Sequence, residues 1–372
     1  MVPCRRLGHA AAACLLLLLI LSCAGPAAAA RPAPAHGRHD GAGWHAFKRL
    51  QDARRGSHVT GLRELKRYLA TFGYMPAGTA GAEHGGGEPT DAFDEHLEAA
   101  VKRYQSRLSL PVTGSLDAAT LDQIMSPRCG VEDDHDHGVS VSPDHHGGAV
   151  VSRFTFFKGE PRWTQRSEPI VLSYAVSPTA TVSYLSPDDV RAVFRRAFDR
   201  WALVIPVSFV ETDDYDAADI KVGFHKGNHG DGVPFDGPLG VLGHAFSPKN
   251  GRLHLDASEQ WALSFSDGTE TSESIDLESV ATHEIGHVLG LGHSTSPHAV
   301  MYPSIKPLQK KADLTVDDVE GVQQLYGSNP DFRLSSLYNE QDTSMAPERS
   351  SWVASSARLL VGAVSIILLT HL

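Results

Sequence analysis

The residues best suited to chemistry lie between His283 and His293, in the run His-Glu-Ile-Gly-His-Val-Leu-Gly-Leu-Gly-His. His283 and His287 are four residues apart, so on a helix they lie on one face and can bind one metal ion. Glu284 lies on the same helix, within reach of a water molecule held by that metal. Two such histidines also occur as solvated residues of surface helices, and the short pattern alone leaves both interpretations open.

His293 fits the same site only if the helix ends before it. It follows His283 by ten residues, which on a continuous helix is about 280° around the axis and faces away. Gly290 can end the helix, because glycine adopts the left-handed conformation without a Cβ clash. Three imidazoles would then leave a tetrahedral zinc ion one open position for a reactive water.

A methionine completes a longer and more specific pattern. Met301 lies eight residues after His293, and zinc histidines followed by such a methionine form the metzincin signature. With Ser294 directly after the third histidine, the chain from about residue 61 to residue 327 resembles a matrix metalloproteinase (matrixin). The resemblance implies a zinc endopeptidase in which Glu284 is the catalytic base and Met301 packs beneath the metal.

Length and charge limit the classes of protein that are possible. The chain has 372 residues, enough for two compact domains plus tails. Its net charge of −11 argues against nucleic acid as a partner. Residues 1–30 have basic residues, an apolar run and a terminal Ala-Ala-Ala, which is typical of a secretory signal peptide. A transmembrane anchor is the alternative, but the apolar run is short for one.

Cysteine usage singles out one thiol. Cys4, Cys14 and Cys23 lie inside the predicted signal peptide, so Cys129 is alone in the mature chain and has no internal disulfide partner. A lone thiol in an oxidising compartment needs a specific role.

The predicted propeptide covers residues 31–152. Residues 31–60 are polar and are expected to be poorly ordered. Helical periodicity follows at 62–72, 93–108 and about 117–125. This unit of three helices, at about 61–126, resembles the matrixin prodomain with its peptidoglycan-binding-like helices. The alternative is an independent carbohydrate-binding module.

Residues 127–133, Pro-Arg-Cys-Gly-Val-Glu-Asp, resemble the matrixin cysteine switch. The family has proline where Glu132 stands. A thiolate is a strong zinc ligand and can take the open fourth position, so Cys129 is a predicted zinc ligand in the zymogen. The resemblance also implies that Arg128 pairs with Asp133. An unpaired surface thiol is the alternative.

Residues 132–152 contain no Lys or Arg and are expected to form an exposed, cleavable linker. Their histidines are better explained as solvated residues than as metal ligands.

The predicted catalytic domain covers residues 153–327. Strand-like runs occur at 170–176, 207–210, 220–224, 242–246 and 253–256, and helices are predicted from Ser186-Pro187 to Trp201, from 277 to 289, and from 316 to 326. Strands followed by helices indicate an α+β fold. The resemblance makes this a metzincin-type protease domain, a twisted mixed sheet with helices, preceded by a three-helix prodomain.

Two further ion sites are predicted. Three histidines and one carboxylate flank short strands and match the structural zinc pattern of matrixins, which has no open position: His229, Asp231, His244 and His254. Hard oxygens suited to calcium come from Asp236, Gly237, Asp256 and Glu259. The resemblance implies that the backbone carbonyls of Leu239 and Val241 are further ligands. The alternative for each acidic residue is a solvated turn. Asp219 is a possible ligand of a second calcium, which is in doubt because the segment from 244 to 254 is shorter than is usual in the family.

The substrate cleft is predicted beside the zinc. The strand near 240–244 is expected to pair with an extended peptide, and the specificity pocket is expected to be deep and apolar, suited to Leu, Met or an aromatic. The predicted substrate-binding residues are Gly240, Val241, Leu242, Gly243, Ser279, Pro303 and Ile305.

Residues 328–372 are predicted to be a linker and an anchor signal. The stretch after residue 327 is too short for the propeller domain of many matrixins, which suggests the plant branch. Its apolar end, 359–372, is short for a membrane span, and with small residues and a polar spacer before it the order fits a glycosylphosphatidylinositol anchor signal. A transmembrane or disordered end is the alternative.

Together these features predict a monomeric, latent zinc endopeptidase of the outer cell surface, or alternatively of the extracellular medium. Its substrates would be proteins or peptides. Two other classes stay open: a catalytically silent binding module on the same fold, and a carbohydrate-surface protein attached through the helical unit. The intact Glu284 argues against the first, and a peptide-cleavage assay with a chelator separates both from a protease.

Overall fold

A computed structural model of the chain describes residues 44–75, 89–133, 141–143, 149–151, 153–164, 169–266, 268 and 270–333. The predicted signal peptide and the predicted anchor signal lie outside these residues. None of the helices in the described ranges is both long enough and apolar enough to cross a membrane.

The N-terminal part, as far as it is described (residues 44–75 and 89–125), is a helical unit. It contains a 3-10 helix, His45–Leu50, and three α-helices: α1 (Leu62–Thr71), α2 (Glu95–Arg107) and α3 (Ala118–Ile124). Asp94 and Asp117 cap α2 and α3, because each carboxylate accepts a hydrogen bond from a backbone N–H of the first turn. Their apolar faces form one core, so the predicted three helices are confirmed.

The expectation that residues 31–60 are poorly ordered is wrong for the described residues 44–60. Phe47, Leu50 and Ala53 are buried in the core of the helical unit. The backbone here also pairs with the segment before α3, since Asp52 N lies 2.9 Å from Leu116 O. Three apolar side chains spaced three residues apart are a short signal in a polar segment, and only their long-range partners reveal that they are buried.

The larger part of the molecule contains a six-stranded mixed sheet in the order β1-β7-β8-β6-β4-β5. Its strands are β1 (Arg128–Cys129), β4 (Ile170–Val176), β5 (Val207–Glu211), β6 (Ile220–His225), β7 (Val241–Ala245) and β8 (Arg252–Asp256). β7 runs antiparallel to β8, and the other neighbours are parallel. Two short pairs lie outside this sheet, β2 (Val141–Pro143) with β3 (Ala149–Val151) and β9 (Trp261–Ala262) with β10 (Ile275–Asp276).

Three helices belong to the sheet-containing part: α4 (Pro187–Val204), α5 (Leu277–Val288) and α6 (Val316–Tyr326). Thr315 caps α6 in a capping box. α4 begins after Ser186, as the Ser186-Pro187 start predicted. The side chain of Ser186 makes no capping hydrogen bond, so proline in the first turn is the local start signal.

α5 is buried along its whole length between α4 and the sheet. The indole N–H of Trp201 on α4 donates to Thr282 O at 2.9 Å and so fixes the two helices together. A mixed sheet with segregated helices, preceded by a helical unit, confirms the predicted α+β class.

Candidate active site and metal centres

The turn after α5 brings the third histidine back to the first two. α5 ends at Val288, and Gly290 has φ +107°. Leu291 N bonds to Gly286 O and Gly290 N to His287 O, which is the pattern of a Schellman helix end. A Cβ on Gly290 would also lie 2.3 Å from a backbone oxygen of Pro161. Glycine is therefore required both by conformation and by space, and the predicted helix end is confirmed.

A second glycine admits Met301 beneath the histidines. A Cβ on Gly286 would lie 2.3 Å from Met301 Sδ and 3.0 Å from the ring of Trp201. Met301 is fully buried, and its backbone N–H donates to the buried carboxylate of Asp318 at 3.0 Å. The methionine turn is thus held by the first turn of α6 and packs against the helix that carries the histidines.

Two of the histidines are oriented by backbone carbonyls. His283 Nδ1 lies 2.7 Å from Val300 O, in the methionine turn, and His287 Nδ1 lies 2.8 Å from Leu291 O, in the turn after α5. Because Nδ1 must carry the proton to donate, Nε2 of each ring carries the lone pair. The elements around α5 therefore set the tautomers as well as the positions.

The three Nε2 atoms meet at one point. His293 Nδ1 lies 2.7 Å from Oδ1 of Asp133, so its Nε2 also carries a lone pair. Nε2 of His287 lies 3.1 Å from that of His283 and 3.2 Å from that of His293. Burial lowers the pKa of His293 to about 3 and that of His283 well below its usual range, which keeps these rings neutral. Three converging lone pairs repel unless a cation lies between them, so the donor set fits zinc.

Cys129 joins this cluster. Its Sγ lies 3.3 Å from His287 Nε2, and the four ligand atoms all lie within 4.8 Å of one another. Cys129 is buried, so the alternative of a surface thiol is wrong. Burial is the larger cause and the charge of Glu284 the second; together they raise the pKa of the thiol well above its usual value. The thiolate form therefore depends on a positive charge in the cluster, which a zinc ion would supply.

Glu284 is a buried carboxyl group with no good hydrogen bond of its own. Neither oxygen has a partner of normal geometry among the described residues, and the Cys129 thiol is the polar group that faces it. Burial raises the pKa of Glu284 to about 8. A buried and unsatisfied carboxyl beside metal ligands is costly for stability and is typical of a catalytic acid or base.

The switch segment, residues 127–133, lies in the cleft as an added strand. β1 runs parallel to β7, with Arg128 N 3.0 Å from Gly240 O and Gly130 N 2.8 Å from Gly243 O. The predicted substrate-binding backbone at Gly240 and Gly243 is therefore bonded to the chain's own segment. An edge strand with free backbone groups binds any extended peptide in this way.

The opposite wall of the cleft binds the same segment. Cys129 N donates to Pro303 O at 2.8 Å, and Ile305 N donates to Pro127 O at 3.2 Å. The switch segment is therefore held on both sides at the point where Cys129 reaches the histidines.

The helical unit also packs against the cleft. Arg107 Nη2 lies 3.2 Å from His293 O, and the Tyr302 hydroxyl donates to Leu108 O at 3.3 Å. Tyr302 packs into the core of the helical unit although it belongs to the wall of the cleft. These contacts join residues about 190 positions apart, and no local pattern predicts them.

The expected pairing of Arg128 with Asp133 is present. Arg128 Nη2 lies 2.6 Å from Oδ1 of Asp133, both side chains are fully buried, and the guanidinium lies 3.5 Å from the ring centre of Phe72. Tyr74 donates to Oδ2 at 2.6 Å. Burial alone would raise the pKa of Asp133, but Arg128 and His293 hold it below its usual range, so the group is a carboxylate. The contact between Asp133 and His293 was not predicted.

A pocket opens beside His283 and Glu284. Four predicted residues line it, namely Leu242, Ser279, Pro303 and Ile305, and its other walls include Val280, Val300 and Tyr302. The small Ser279 leaves room at one wall.

Lys311 also lines this pocket and was not predicted. Its Nζ lies 3.3 Å from Ser304 O, and its backbone N–H donates to Ser279 Oγ at 2.7 Å. Burial lowers the pKa of Lys311 to about 8. Lys311 therefore contributes one amine to a pocket whose other walls are mainly apolar. In the sequence Lys311 stands in a polar run that is typical of a solvated loop.

The four residues of the second predicted cluster also converge. Oδ2 of Asp231 lies 2.8 Å from His229 Nε2, 2.7 Å from His244 Nε2 and 2.8 Å from His254 Nδ1. His244 and His254 are paired in register on the antiparallel strands β7 and β8, and the loop after β6 brings the other two. Burial lowers the pKa of His254 to about 4, so its ring is neutral. Four protein donors fit a closed, structural zinc site.

The acidic residues predicted to bind calcium surround one loop. Their carboxylates accept backbone hydrogen bonds from Gly237 to Asp256 at 3.2 Å, from Leu239 to Glu259 at 2.9 Å, and from Val241 to Asp236 at 2.8 Å. Burial raises the pKa of Glu259, the hydrogen bond from the Leu239 N–H lowers it, and the charges of Asp256 and Asp236 raise it further. The resulting pKa is about 8. Within the described residues they do not form a group as tight as the two zinc-type clusters. Calcium therefore stays a prediction.

Asp219, the possible ligand of a second calcium, does not belong to this group of acidic residues. Its Oδ2 accepts hydrogen bonds from Ser173 N at 2.8 Å and Ser173 Oγ at 2.7 Å. This carboxylate therefore ties β4 to the start of β6, and a second calcium at Asp219 remains untested.

The fold and the site together define a metalloendopeptidase with an N-terminal helical unit. Residues 162–327 match the matrixin family model, and residues 59–124 match the model of a putative peptidoglycan binding domain. The chain is 51% identical over 300 residues to Metalloendoproteinase 1-MMP of Arabidopsis thaliana, covering 81% of this chain and 78% of that protein. The chain belongs to the matrixin family, whose members are zinc proteases.

Two other relatives show how far the likeness extends. Metalloendoproteinase 1 of Glycine max is 44% identical over 278 residues, which is 74% of this chain and 85% of that protein. Matrilysin of Homo sapiens is 36% identical over 243 residues, 64% of this chain and 79% of that protein.

Proposed function

We propose that the chain is a zinc endopeptidase made as a latent zymogen, which cleaves extracellular or cell-surface proteins and peptides. One observation carries the proposal: the convergence of Cys129 with three lone-pair-bearing histidines beside an unsatisfied Glu284. One cluster thus contains the proposed catalytic residues and the cysteine that would inhibit them.

In the active form, the chain's residues would bind, orient and move a proton. Zinc, when held by His283, His287 and His293, supplies a Lewis acid and lowers the pKa of a bound water to about 7. Glu284 accepts a proton from the attacking water and passes it to the leaving amine. Its burial and raised pKa suit both steps, since a group that titrates near neutral pH can accept and then donate.

The edge of β7 and the wall at Pro303 and Ile305 would hold the substrate backbone. In the zymogen these groups bind the switch segment, so substrate and switch compete for one cleft. A substrate side chain would enter the pocket between Leu242 and Ile305, whose apolar walls favour Leu, Met or an aromatic.

We divide the chain into four proposed regions. Residues 1–30 are a signal peptide, residues 31–152 a propeptide that ends in the cleavable linker, residues 153–327 the catalytic domain, and residues 328–372 a linker and anchor signal. The location would be the outer cell surface, through a lipid anchor, with secretion into the medium as the alternative. His229, Asp231, His244 and His254 would hold a structural zinc, and the loop at 236–241 with Asp256 and Glu259 a calcium.

Replacing the proposed base tests the function directly. Glu284→Gln in the activated enzyme should retain its zinc and lower peptide turnover by about 10²- to 10⁴-fold, as expected for loss of a general base. Turnover and metal content would be measured on the same samples, with a chelator to confirm metal dependence. The matched control Glu273→Gln, an exposed glutamate near α5, should behave as the parent.

Near-normal turnover of Glu284→Gln with zinc bound would show that Glu284 is not the base. No cleavage of any peptide by the activated parent would favour a catalytically silent binding module on the same fold.

A further inference from the structure

The switch segment makes a second contact with the zinc-ligand cluster, besides its thiol. Asp133 Oδ1 lies 2.7 Å from Nδ1 of His293, the nitrogen that faces away from the other ligands, and the two side chains are 0% and 1% exposed. His293 Nδ1 thus has an acceptor supplied by the switch segment, whereas His283 and His287 have acceptors in the 277–301 region itself.

Outer-shell carboxylates of this kind affect metal binding. A carboxylate that accepts a hydrogen bond from a ligating histidine fixes its tautomer and ring orientation and increases the basicity of the other nitrogen. Loss of such a partner typically lowers metal affinity about 10- to 100-fold. Asp133 is itself held in place by the Arg128 guanidinium on Oδ1 and by the Phe72 backbone carbonyl, to which its own N–H donates at 3.1 Å.

We propose that the switch segment retains the catalytic metal as well as blocking it: Asp133 holds His293 in its ligating orientation, so the zymogen releases zinc more slowly than the activated enzyme does. The inference rests on the proposed function, in which cleavage after residue 133 removes this segment. Activation would then take away Cys129 and Asp133 together. His293 would exchange a buried carboxylate for solvent at the moment when its metal becomes catalytic.

The test separates Asp133 from the thiol. A full-length chain with Cys129→Ser and Glu284→Gln serves as the parent, because it lacks the thiol ligand and cannot cleave its own linker. Zinc release to a chromogenic chelator is followed by stopped flow, and the same chain with His293→Ala gives the baseline of the structural zinc. Adding Asp133→Asn should accelerate release of the catalytic zinc about 10- to 100-fold.

Tyr74→Phe is the matched control. It removes the hydrogen bond on Oδ2 of Asp133 and leaves Oδ1 on His293 in place, so it should release zinc at the parent rate. A general loosening of the segment would accelerate both variants equally. As a second readout, the Nδ1–H proton of His293 should give a strongly downfield NMR signal in the parent and in Tyr74→Phe, and should shift upfield in Asp133→Asn.

Equal zinc release by the parent and Asp133→Asn, or equal acceleration by Tyr74→Phe, would overturn the inference. Neither result would touch the proposed function, which depends on peptide cleavage by the activated enzyme and on its loss in Glu284→Gln.

Discussion

At the scale of single residues, the site is organised by what the ring nitrogens of the histidines bind. Each Nδ1 has a backbone or carboxylate acceptor, and each Nε2 therefore turns its lone pair to a common centre. Cys129 approaches the same centre from the switch segment. One coordination position would then serve either the thiol or the catalytic water, so latency and catalysis exclude each other.

Cys129→Ser should therefore yield a precursor that cleaves peptides and its own linker without an activating protease. A hydroxyl is a much weaker zinc ligand than a thiolate, so the fourth position becomes available. Activity and linker cleavage would be measured on freshly purified precursor, and a mercurial that captures the thiol should activate the unaltered precursor in the same way. An inert precursor after both treatments, with zinc in place, would mean that the helical unit blocks the cleft by bulk alone.

At the scale of elements, α4 and α5 are joined by one buried carboxylate. The side chain of Glu278 on α5 is 3% exposed and binds Arg196 at 3.0 Å, Lys310 at 3.1 Å and also Arg200. Burial alone would raise the pKa of Glu278, but the hydrogen bond from Arg196 and the charges beside it lower it from 4.5 to about 2. A depressed carboxyl pKa contributes stability above pH 4.5, and this contribution is lost as the pH falls through 2.

Glu278→Gln should lower the free energy of unfolding by about 2 kcal/mol at neutral pH, because it removes the buried negative charge that three partly exposed cations share. The difference from the parent should shrink as the pH falls from 4.5 towards 2. Urea unfolding at a series of pH values measures it, with Asp313→Asn as the control, since Asp313 is 97% exposed where it pairs with Arg200. A difference that does not change with pH would contradict the assigned pKa.

A second ion site depends on the register of β7 and β8. His244 and His254 face each other across these strands, and Asp231 and His229 close the site. A closed site of this kind contributes to folding instead of chemistry. His244→Ala should therefore lower the melting temperature more than it alters turnover, and elemental analysis of the folded, active parent should find two zinc ions. One zinc per active molecule would contradict the second site.

At the scale of the whole molecule, calcium is expected to stabilise the mature enzyme. Asp236, Asp256 and Glu259 place three acidic groups around one loop, and burial, together with the charges of Asp256 and Asp236, raises the pKa of Glu259 to about 8. A ligand that binds only the folded state raises its stability, so calcium at fixed zinc should raise the melting temperature by several degrees. Asp256→Asn should lose this shift, whereas Asp219→Asn should keep it. An unchanged melting temperature of the parent would count against the site.

The two ends of the chain are expected to set where the enzyme acts. Ending the chain after Gly327 should release active protein into the medium, because the apolar end would be missing. Phospholipase treatment of cells should release the uncut form if the anchor is a lipid. Retention of the protein on cells after this treatment would favour a transmembrane end.

The sequence alone determined the parts that depend on near neighbours. Helix spacing places His283 and His287 on one face, and Gly290 can end α5 because glycine adopts a positive φ without a Cβ clash. Periodicity likewise predicted the main helices and strands, since local backbone preferences and apolar faces repeat along the chain. The family resemblance then connected Cys129 to the histidines.

Only the tertiary structure decided which distant residues meet. Asp133 and His293 are 160 positions apart, and Lys311 lines the pocket from a run that looks solvated. Phe47 and Leu50 are buried because they join the core of the helical unit, although their own segment is polar. Such contacts depend on how elements pack and on which buried polar groups need partners. The local sequence pattern predicts neither the packing of elements nor the partners of buried polar groups. The hydrogen bond from His293 to Asp133 exists because the fold brings both residues into one buried space.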